Sequence, residues 1–425
     1  MSDDQYYIVK IPKTLVSLGS IGLSLASIYL SYNSIKKAIK KTPNHKKQAV
    51  FKKEEEGTDT IKSEDFLKIF TDYGKKFNQC GALEAVIPRK FETEADLAIL
   101  SDNLLYTKNQ NDLTSLTKAI SEPVWDLLDR GGKRWRPILC IILAEAFNLA
   151  QEDVKEIASL CEIVHNGTLI VDDIEDNSTV RRDKKCVHLI YGVDISINAG
   201  NMMYFAPLHV LLKSNKYTDQ QKLRFAKIYA EEMTQLHLGQ GWDILWHNTD
   251  KLEGRIPNEQ QYLQMTAHKT GVLARLSSRL ICASVNTSVE DEMTISRFSE
   301  RIGVAFQIQD DILNLEGEEY KKTKGQSGED IHEGKMSLIV LHSLQNSLPE
   351  DKERLFKILS SHTDNQDEID EAIALVKKTD SINYSRKVAQ ELVQTAWNDI
   401  ENLLPASKSK QLLKLLAEYN IGRKI

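Results

Sequence analysis

Long stretches of this chain place apolar residues three and four positions apart, which is the spacing of one face of an α-helix. The pattern continues from about Leu113 to Leu416, with no alternating run long enough to build a sheet and no internal repeat. A shorter stretch with the same spacing, from Phe66 to Phe77, precedes it. The pattern predicts an all-α protein with its main domain over residues 113–425.

The N-terminal part of the chain has a different pattern. Thr14 to Ile35 is a run of 22 residues without a charge, and as a helix it would be about 33 Å long, enough to cross a bilayer. Its serines dilute the hydrophobicity, so an interfacial or buried helix stays an alternative. They also recur on one face, which indicates a partner within the membrane. We expect a membrane anchor over residues 1–35, then a basic linker and a short helix over residues 36–112.

Charge and cysteine content limit the possible cellular locations of the protein and the classes of partner that it can bind. Acidic residues outnumber basic ones by 61 to 55, which argues against a globally basic protein that binds nucleic acid. Eight lysines and no acid lie between Lys36 and Lys53, and such a segment stays on the cytosolic or matrix side. Five cysteines without paired spacing indicate reduced thiols. The main domain is therefore expected to face the cytosol or mitochondrial matrix, anchored in the endoplasmic reticulum or the mitochondrial inner membrane.

The strongest chemical signal is the stretch CEIVHNGTLIVDDIEDNSTVRR. An apolar helix face leads directly into three aspartates, which weakens the alternative of a solvated acidic surface. We expect these three carboxylates to share one helix face, where aspartates three and four positions apart can converge on one hard cation. A histidine precedes them by two turns, and two arginines follow. This combination suits a metal-bridged phosphate, and its residues are His165, Asp172, Asp173, Asp176, Arg181 and Arg182.

A second acidic segment, RIGVAFQIQDDILNLEG, lies far downstream. It places Gln307, Asp310, Asp311 and Asn314 on one helix face. Alone it would also fit a helix surface, but two such helices facing each other could hold a diphosphate through several Mg²⁺ ions. Three further motifs, GGKRWRP, HKTG and KGQSGEDIHEGK, add cations and an acid. Their chemical groups belong to Lys133, Arg134, Arg136, Lys269, Thr270, Lys324, Asp330 and Lys335.

In this order the motifs resemble those of the trans-isoprenyl diphosphate synthase, or polyprenyl synthetase, family. GGKRWRP is similar to the family's GGKxxRP, DDIED with the following RR to its first aspartate-rich motif, and FQIQDD to its FQxxDD. The wording DDIEDNS, with LHLGQGWDILW and DDILN, resembles the geranylgeranyl diphosphate synthase branch most. The resemblance implies an isoprenoid-synthase-type helical bundle around a deep central cavity, working as a homodimer or a hetero-oligomer.

The resemblance also implies a role for each matching residue. Mg²⁺, with three ions expected, would be held by Asp172, Asp173, Asp176, Asp310 and Asp311. Isopentenyl diphosphate would be bound by Lys133, Arg136, His165 and Arg182, and the allylic diphosphate by Arg181, Lys269, Lys324 and Lys335. Gln307 and Thr270 would lie beside the reacting carbons. The expected catalytic set is Asp172, Asp173, Asp176, Lys269, Thr270, Gln307 and Asp310.

The implied activity is an Mg²⁺-dependent condensation of isopentenyl diphosphate with an allylic diphosphate. In this family, large aromatic residues four or five positions before the first aspartate cap the product pocket. Those positions hold Thr168 and Gly167, so we expect a geranylgeranyl (C20) or longer polyprenyl diphosphate as the product.

A few positions depart from the family pattern. Asn314 replaces an aspartate, Asp183 stands where glycine is usual, and Arg275 and Arg279 stand where small or apolar residues are usual. The two arginines could obstruct a hydrocarbon product or point into a subunit contact. The main alternative is therefore a weak or inactive family member that serves as a subunit of a membrane complex or of a heteromeric prenyl synthase. A terpene synthase, the third hypothesis, would not need the residues on the isopentenyl side.

Overall fold

The structure is a computed structural model that describes residues 61–101, 111–248, 255–316 and 328–422. The expected membrane anchor over residues 1–35 lies outside these ranges, as do most of the basic linker and Lys324. Within the described ranges, no helix is both long enough and apolar enough to cross a membrane. The anchor and the predicted domain limits stay predictions.

Helices dominate the described residues, as the apolar spacing predicts. They are α1 (Ser63–Gln79), α2 (Glu94–Ala98), α3 (Leu113–Leu116), α4 (Glu122–Asp129), α5 (Trp135–Ala146), α6 (Gln151–Glu175), α7 (Val187–Tyr191), α8 (Val193–Lys213) and α9 (Asp219–His247). After these come α10 (Glu259–Thr266), α11 (Val272–Ser284), α12 (Val289–Glu316), α13 (Glu329–His332), α14 (Leu338–Asn346), α15 (Pro349–Ser361), α16 (Gln366–Lys378), α17 (Ser381–Ile400) and α18 (Lys408–Gly422).

Two further kinds of element interrupt the α-helices. Thr117–Ser121 and Ala267–Gly271 are wider π-helical turns that continue into the helices on both sides. Among the described residues the strands are β1 (Val180–Arg181) and β2 (Lys184–Lys185), which pair antiparallel. The second π-helical turn carries the HKTG motif, and the hairpin carries the arginine pair, so both irregular elements lie at positions of chemical interest.

The core forms around α5 and α11, because nearly all of their residues are buried. A helix that is buried on nearly every side needs neighbours all round. Helix α6 packs against both of them and along α8, and α12 packs along α11 and α17. Helix α1 also joins this core: Phe66 and Phe70 contact Tyr419 of α18 with ring centroids 5.6 and 5.5 Å apart. The acidic ends of α6 and α12 are thereby held on a rigid scaffold.

Candidate active site

One cavity of about 790 Å³ collects most of the residues singled out in the sequence. Its wall also contains apolar side chains, including Leu169, Leu236 and Leu273, which give a hydrocarbon a surface to lie against. The predicted site residues that line the cavity are Lys133, Arg136, His165, Asp172, Asp176, Arg181, Arg182, Lys269, Thr270, Gln307, Asp310, Asp311 and Lys335. These motifs are far apart in sequence, so their convergence is a property of the fold.

The end of α6 forms the first acidic wall. The carboxylate of Asp172 accepts hydrogen bonds from Gln240 Nε2 at 2.8 Å and Lys269 Nζ at 3.2 Å. Burial alone would raise the pKa of Asp172, but Lys269 and Arg181 outweigh burial and hold it at about 2. Burial and the negative charge of Asp172 raise the pKa of Asp176 to about 7. The two carboxylates therefore crowd each other.

Asp173 does not join this wall, which corrects the expectation that the three aspartates share one face. Consecutive helix residues point about 100° apart, and Asp173 lies fully buried behind the cavity lining. Its Oδ1 accepts a hydrogen bond from Arg181 Nε at 2.7 Å, while its buried Oδ2 has no hydrogen-bond partner. In this arrangement Asp173 holds Arg181 toward the cavity.

The second acidic wall comes from α12. Asp311 accepts hydrogen bonds from Tyr262 Oη at 2.8 Å and from Gln307 Nε2 at 2.9 Å. Gln307 Oε1 in turn accepts a hydrogen bond from Thr270 Oγ1 at 3.1 Å. Burial, with Asp330 nearby, raises the pKa of Asp311. The FQIQDD and HKTG motifs therefore form one hydrogen-bonded wall.

Another part of the cavity is cationic. Arg136 Nη1 lies 3.4 Å from His165 Nε2, and the Arg136 guanidinium stacks 4.6 Å from the Trp135 ring centroid. Burial lowers the pKa of Arg136 to about 10, and burial together with Arg136 lowers the pKa of His165. Arg136 Nε is buried without a hydrogen-bond partner. Positive groups gathered in this way suit an anionic ligand.

Arg182 reaches the same region from the β1–β2 hairpin. Arg182 and Asp183 form its two-residue turn, with φ of 52° and 61°. Both turn positions therefore have the left-handed backbone of a type I′ hairpin. Arg182 Nη1 donates to Leu127 O at 3.2 Å and to Asn166 Oδ1 at 3.0 Å. Aspartate tolerates this backbone better than most residues, so Asp183 replaces the family's usual glycine without breaking the turn.

Arg275 and Arg279 do not line the cavity, so the expectation that they could obstruct a product is wrong. They lie between α9, α11 and α12, and each pairs with acids of the same chain. Arg275 Nε donates to Glu232 Oε2 at 2.8 Å, and Arg279 Nη1 donates to Glu232 Oε1 at 2.7 Å. Arg275 also pairs with Glu300. Their charges are neutralised within the helical scaffold.

The structure adds site residues that the sequence analysis did not assign. Gln240 and Asp243 of α9 and Tyr262 of α10 all line the cavity, and His247 lies behind Asp243. The available signal was the GQGWDILWH segment, in which Gln240, Asp243 and His247 share one helix face. The sequence alone could not show that this helix face lies against Lys269.

The carboxylates fit a hard divalent cation in chemistry, although their present positions do not form a finished site. Within the part of the chain that the structure describes, no three acidic, histidine or cysteine groups lie together as a metal cluster. Asp172 and Asp176 nevertheless face the same cavity as Asp310 and Asp311, and Mg²⁺ prefers oxygen ligands. Burial, together with the negative charge of Asp172, raises the pKa of Asp176, and a bound cation would offset this crowding of negative charge.

Comparison with known proteins gives consistent results. A model of the polyprenyl synthetase family matches residues 117–376. The chain is 33% identical over 290 residues to geranylgeranyl pyrophosphate synthase D of Phomopsis amygdali, covering 67% of this chain and 64% of that relative. It is also 33% identical over 284 residues to a geranylgeranyl pyrophosphate synthase of Dictyostelium discoideum, covering 66% and 88%.

The fold comparison agrees with the sequence comparison. The crystal structure of a geranylgeranyl pyrophosphate synthetase from Pyrococcus horikoshii superposes with a TM-score of 0.70 at 27% identity. The match covers 85% of this chain and 100% of the other. The helical bundle is therefore that of the isoprenyl synthases.

Proposed function

The chain belongs to the polyprenyl synthetase family of trans-prenyltransferases, and we propose that it condenses isopentenyl diphosphate with an allylic diphosphate to give geranylgeranyl or longer polyprenyl diphosphate. One observation carries this proposal: two acidic walls, a cationic region and an apolar surface meet in one cavity. Such a cavity can bind two diphosphates and keep a hydrocarbon chain dry.

The chemistry needs little more than charge and position. Mg²⁺, with three ions expected, would be held by Asp172, Asp176 and Asp310 and would neutralise the departing diphosphate. Lys269, Arg181 and Lys335 bind the allylic diphosphate, while Arg136 and Arg182 bind the isopentenyl diphosphate. Thr270 and Gln307 orient the reacting carbons from the π-helical turn and α12. The double bond of isopentenyl diphosphate would attack the allylic cation, and a proton would then be lost to the departing diphosphate, so no protein nucleophile is required. The cavity keeps water away from the cation.

Product length depends on the apolar part of the cavity. Thr168 lines this cavity, whereas Gly167 does not. A Cβ atom at position 167 would lie 2.7 Å from Met203 Cβ and 2.9 Å from Gly200 O, so this glycine is required by the packing of α6 on α8. The small side chain of Thr168 supports a product of C20 or longer. Tyr204 and His237, in edge-to-face contact with centroids 5.8 Å apart, also line the cavity.

A homodimer is the assembly that the surface supports. Helices α8 and α9 expose apolar side chains at helical spacing, and Phe205 is 71% exposed. Exposed apolar stripes on neighbouring helices are typical of subunit interfaces. The stripes contain Val193, Ile197 and Phe205 on α8, and Leu238, Trp242 and Leu245 on α9.

Membrane anchoring through residues 1–35 and a domain facing the cytosol or matrix remain part of this proposal. Asn166 begins a glycosylation sequon but is fully buried. A glycan could not be accommodated there in the folded protein, and this supports a compartment without N-glycosylation. The uncharged run of Thr14 to Ile35 supports the anchor and leaves room for a membrane partner.

The inactive-subunit alternative rested on Arg275, Arg279 and Asp183. The arginines are neutralised away from the cavity, and Asp183 fits the hairpin turn. No other feature of the described residues favours this alternative.

The deciding experiment uses the full chain purified in detergent. The protein is incubated with Mg²⁺, labelled isopentenyl diphosphate and farnesyl diphosphate, and the products are sized by chromatography. A C20 or longer product that disappears in Asp172→Ala would support the proposal. A folded protein that binds Mg²⁺ and diphosphate but makes no product from any allylic substrate would contradict it.

A further inference from the structure

Asp243 is a buried carboxylate that contacts two partners of the site. It is 7% exposed, forms an ion pair with Lys269, and lies 3.1 Å from His247 through its Oδ1 and the imidazole Nε2. Lys269 is shared, because its Nζ also lies 3.2 Å from Asp172 Oδ1. A single ammonium group therefore links α9 to the first acidic wall.

The same helix also fixes the backbone of Lys269. Gly239, one turn before Asp243, packs directly against the backbone of His268 and Lys269. Gln240 donates to both Asp172 and Glu175 at 2.8 Å. One face of α9 thus holds Lys269 at its backbone and at its ammonium group, and holds the end of α6 beside it.

We propose that Asp243 is a positioning residue that sets where the Lys269 ammonium group stands between the first acidic wall and the allylic diphosphate. This inference rests on the proposed function and adds a residue to it. The ionised Asp243 carboxylate can only accept hydrogen bonds, and it already contacts Lys269 and His247. Its effect on the substrate is therefore exerted through Lys269.

The physical reason is competition for Lys269. A buried ammonium group needs a carboxylate partner, and here two carboxylates share it. Without the charge at position 243, Lys269 would pair with Asp172 alone. Lys269 would then occupy Asp172, where Mg²⁺ is expected to bind, and would be drawn away from the diphosphate. Both effects slow the reaction without removing any group that contacts substrate.

His247 supports Asp243 from its far side. Its Nδ1 lies 3.9 Å from Asp176 and its Nε2 contacts Asp243. The ring therefore links an aspartate of the first motif to the carboxylate that holds Lys269. Replacing His247 with leucine would leave one side of Asp243 without a donor.

The test is a double-mutant cycle with Asp243→Asn and Lys269→Gln. Asp243→Asn should lower kcat by about 10- to 100-fold, the cost of misplacing a catalytic group by about an ångström. It should also raise, by several-fold each, the Mg²⁺ concentration for half-maximal rate and the KM for the allylic substrate, because Lys269 is drawn onto Asp172 and away from the diphosphate. In the Lys269→Gln background the same substitution should change kcat less than about 2-fold, since residues that act as one unit are not additive.

Glu232→Gln is the matched control. Glu232 is an equally buried acid of α9 that pairs with arginines outside the cavity. Its loss should lower the thermal midpoint while leaving the Mg²⁺ requirement unchanged. Asp243→Glu, which keeps the charge, should recover part of the lost kcat. If Asp243→Asn proves too unstable to purify, His247→Leu replaces it in the same cycle.

The outcomes separate this inference from the proposed function. A wild-type chain that makes no prenyl product defeats the proposed function itself. An active wild type with an Asp243→Asn variant of equal kcat and equal Mg²⁺ requirement overturns the role of Asp243 alone. The same conclusion follows if Asp243→Asn costs the same factor with Lys269 present and absent.

Discussion

Gly239 of α9 lies so close to the Lys269 backbone that the two helical segments meet without a side chain between them. A Cβ atom at position 239 would overlap the Lys269 nitrogen and stand 2.7 Å from the His268 carbonyl carbon. Since Lys269 lines the cavity, the distance between α9 and the π-helical turn Ala267–Gly271 sets a dimension of the site.

Gly239→Ala should therefore lower both stability and kcat. Overpacking of this kind costs about 1–3 kcal/mol, and the displaced turn would carry Lys269 with it. Gly241→Ala is the control, because a Cβ there meets nothing within 4 Å. It should gain up to about 1 kcal/mol from helix propensity. Urea unfolding gives the stability of both variants, and steady-state kinetics give their kcat. Equal changes of stability and kcat in the two variants would contradict the packing argument.

Thr168→Phe should shorten the product. The added ring would fill part of the cavity that Thr168 lines, so chromatography of the products made from geranyl diphosphate should show a shift toward C15. Gly167→Ala is the comparison, since its methyl group would press on Met203 and Gly200 instead. That variant should lose stability and keep its product length. A C20 product from Thr168→Phe would show that another part of the cavity sets the length.

Asp183→Gly should stabilise the protein slightly. Asp183 has φ of 61°, and glycine adopts this backbone at less cost, with a gain of about 0.5–1 kcal/mol. Asp183→Ala should destabilise, because alanine lacks the local hydrogen bonding that lets aspartate tolerate the left-handed region. Thermal unfolding of the wild type and the two variants gives their order of stability. A glycine variant less stable than the alanine variant would contradict the assignment of a left-handed turn at position 183.

Stability should fall as the pH drops below about 6.5, in part because of His165. Burial and Arg136 lower its pKa in the folded protein, whereas the unfolded value is about 6.5. Above that pH both states hold a neutral ring; below it only the unfolded state binds the proton. The slope from this one group is at most about 1.4 kcal/mol per pH unit.

His165→Gln should reduce this slope between pH 5 and 6.5, measured by urea unfolding. His209→Gln, at an exposed position of α8, is the matched control. An unchanged slope in His165→Gln would mean that other groups account for the acid sensitivity.

Arg275→Met should destabilise by about 3 kcal/mol, the usual cost of removing one partner from a buried ion pair. Glu232, only 1% exposed, would lose one of its two arginines. The KM values should stay as in the wild type, because the pair lies outside the cavity. Arg354→Met, which breaks exposed pairs with Glu368 and Glu371, should have a much smaller effect. A changed product length in Arg275→Met would contradict the separation of this cluster from the cavity.

Local pattern and motif order predicted much of this molecule. Periodicity predicts the helices, and the motifs predict that Asp172, Lys269, Asp310 and Lys335 should meet, as they do around the cavity. The sequence did not predict the features that depend on how each helix is turned and packed against its neighbours. Asp173 differs from Asp172 by one helix step, and that step turns it away from the cavity.

Contacts between residues that lie far apart along the chain were the second feature that the sequence did not predict. Arg275 was expected to obstruct a product or to point into a subunit contact, because its partners Glu232 and Glu300 lie 43 and 25 residues away. Gly167 looked like a choice for pocket size because its true neighbour, Gly200, belongs to another helix. In both cases the residue type was known and only its surroundings were missing.

The ion pairs of the acidic wall have a consequence for how the site fills. Asp172 in the first acidic wall already holds Lys269 as a counter-ion, and Asp173 behind that wall holds Arg181. A divalent cation bound at Asp172 would displace the Lys269 ammonium group, and that group could then pair with the diphosphate. Loading would thus be an exchange of ionic partners that keeps the local charge nearly balanced. With these ion pairs in place, neither ligand would have to enter against an uncompensated charge.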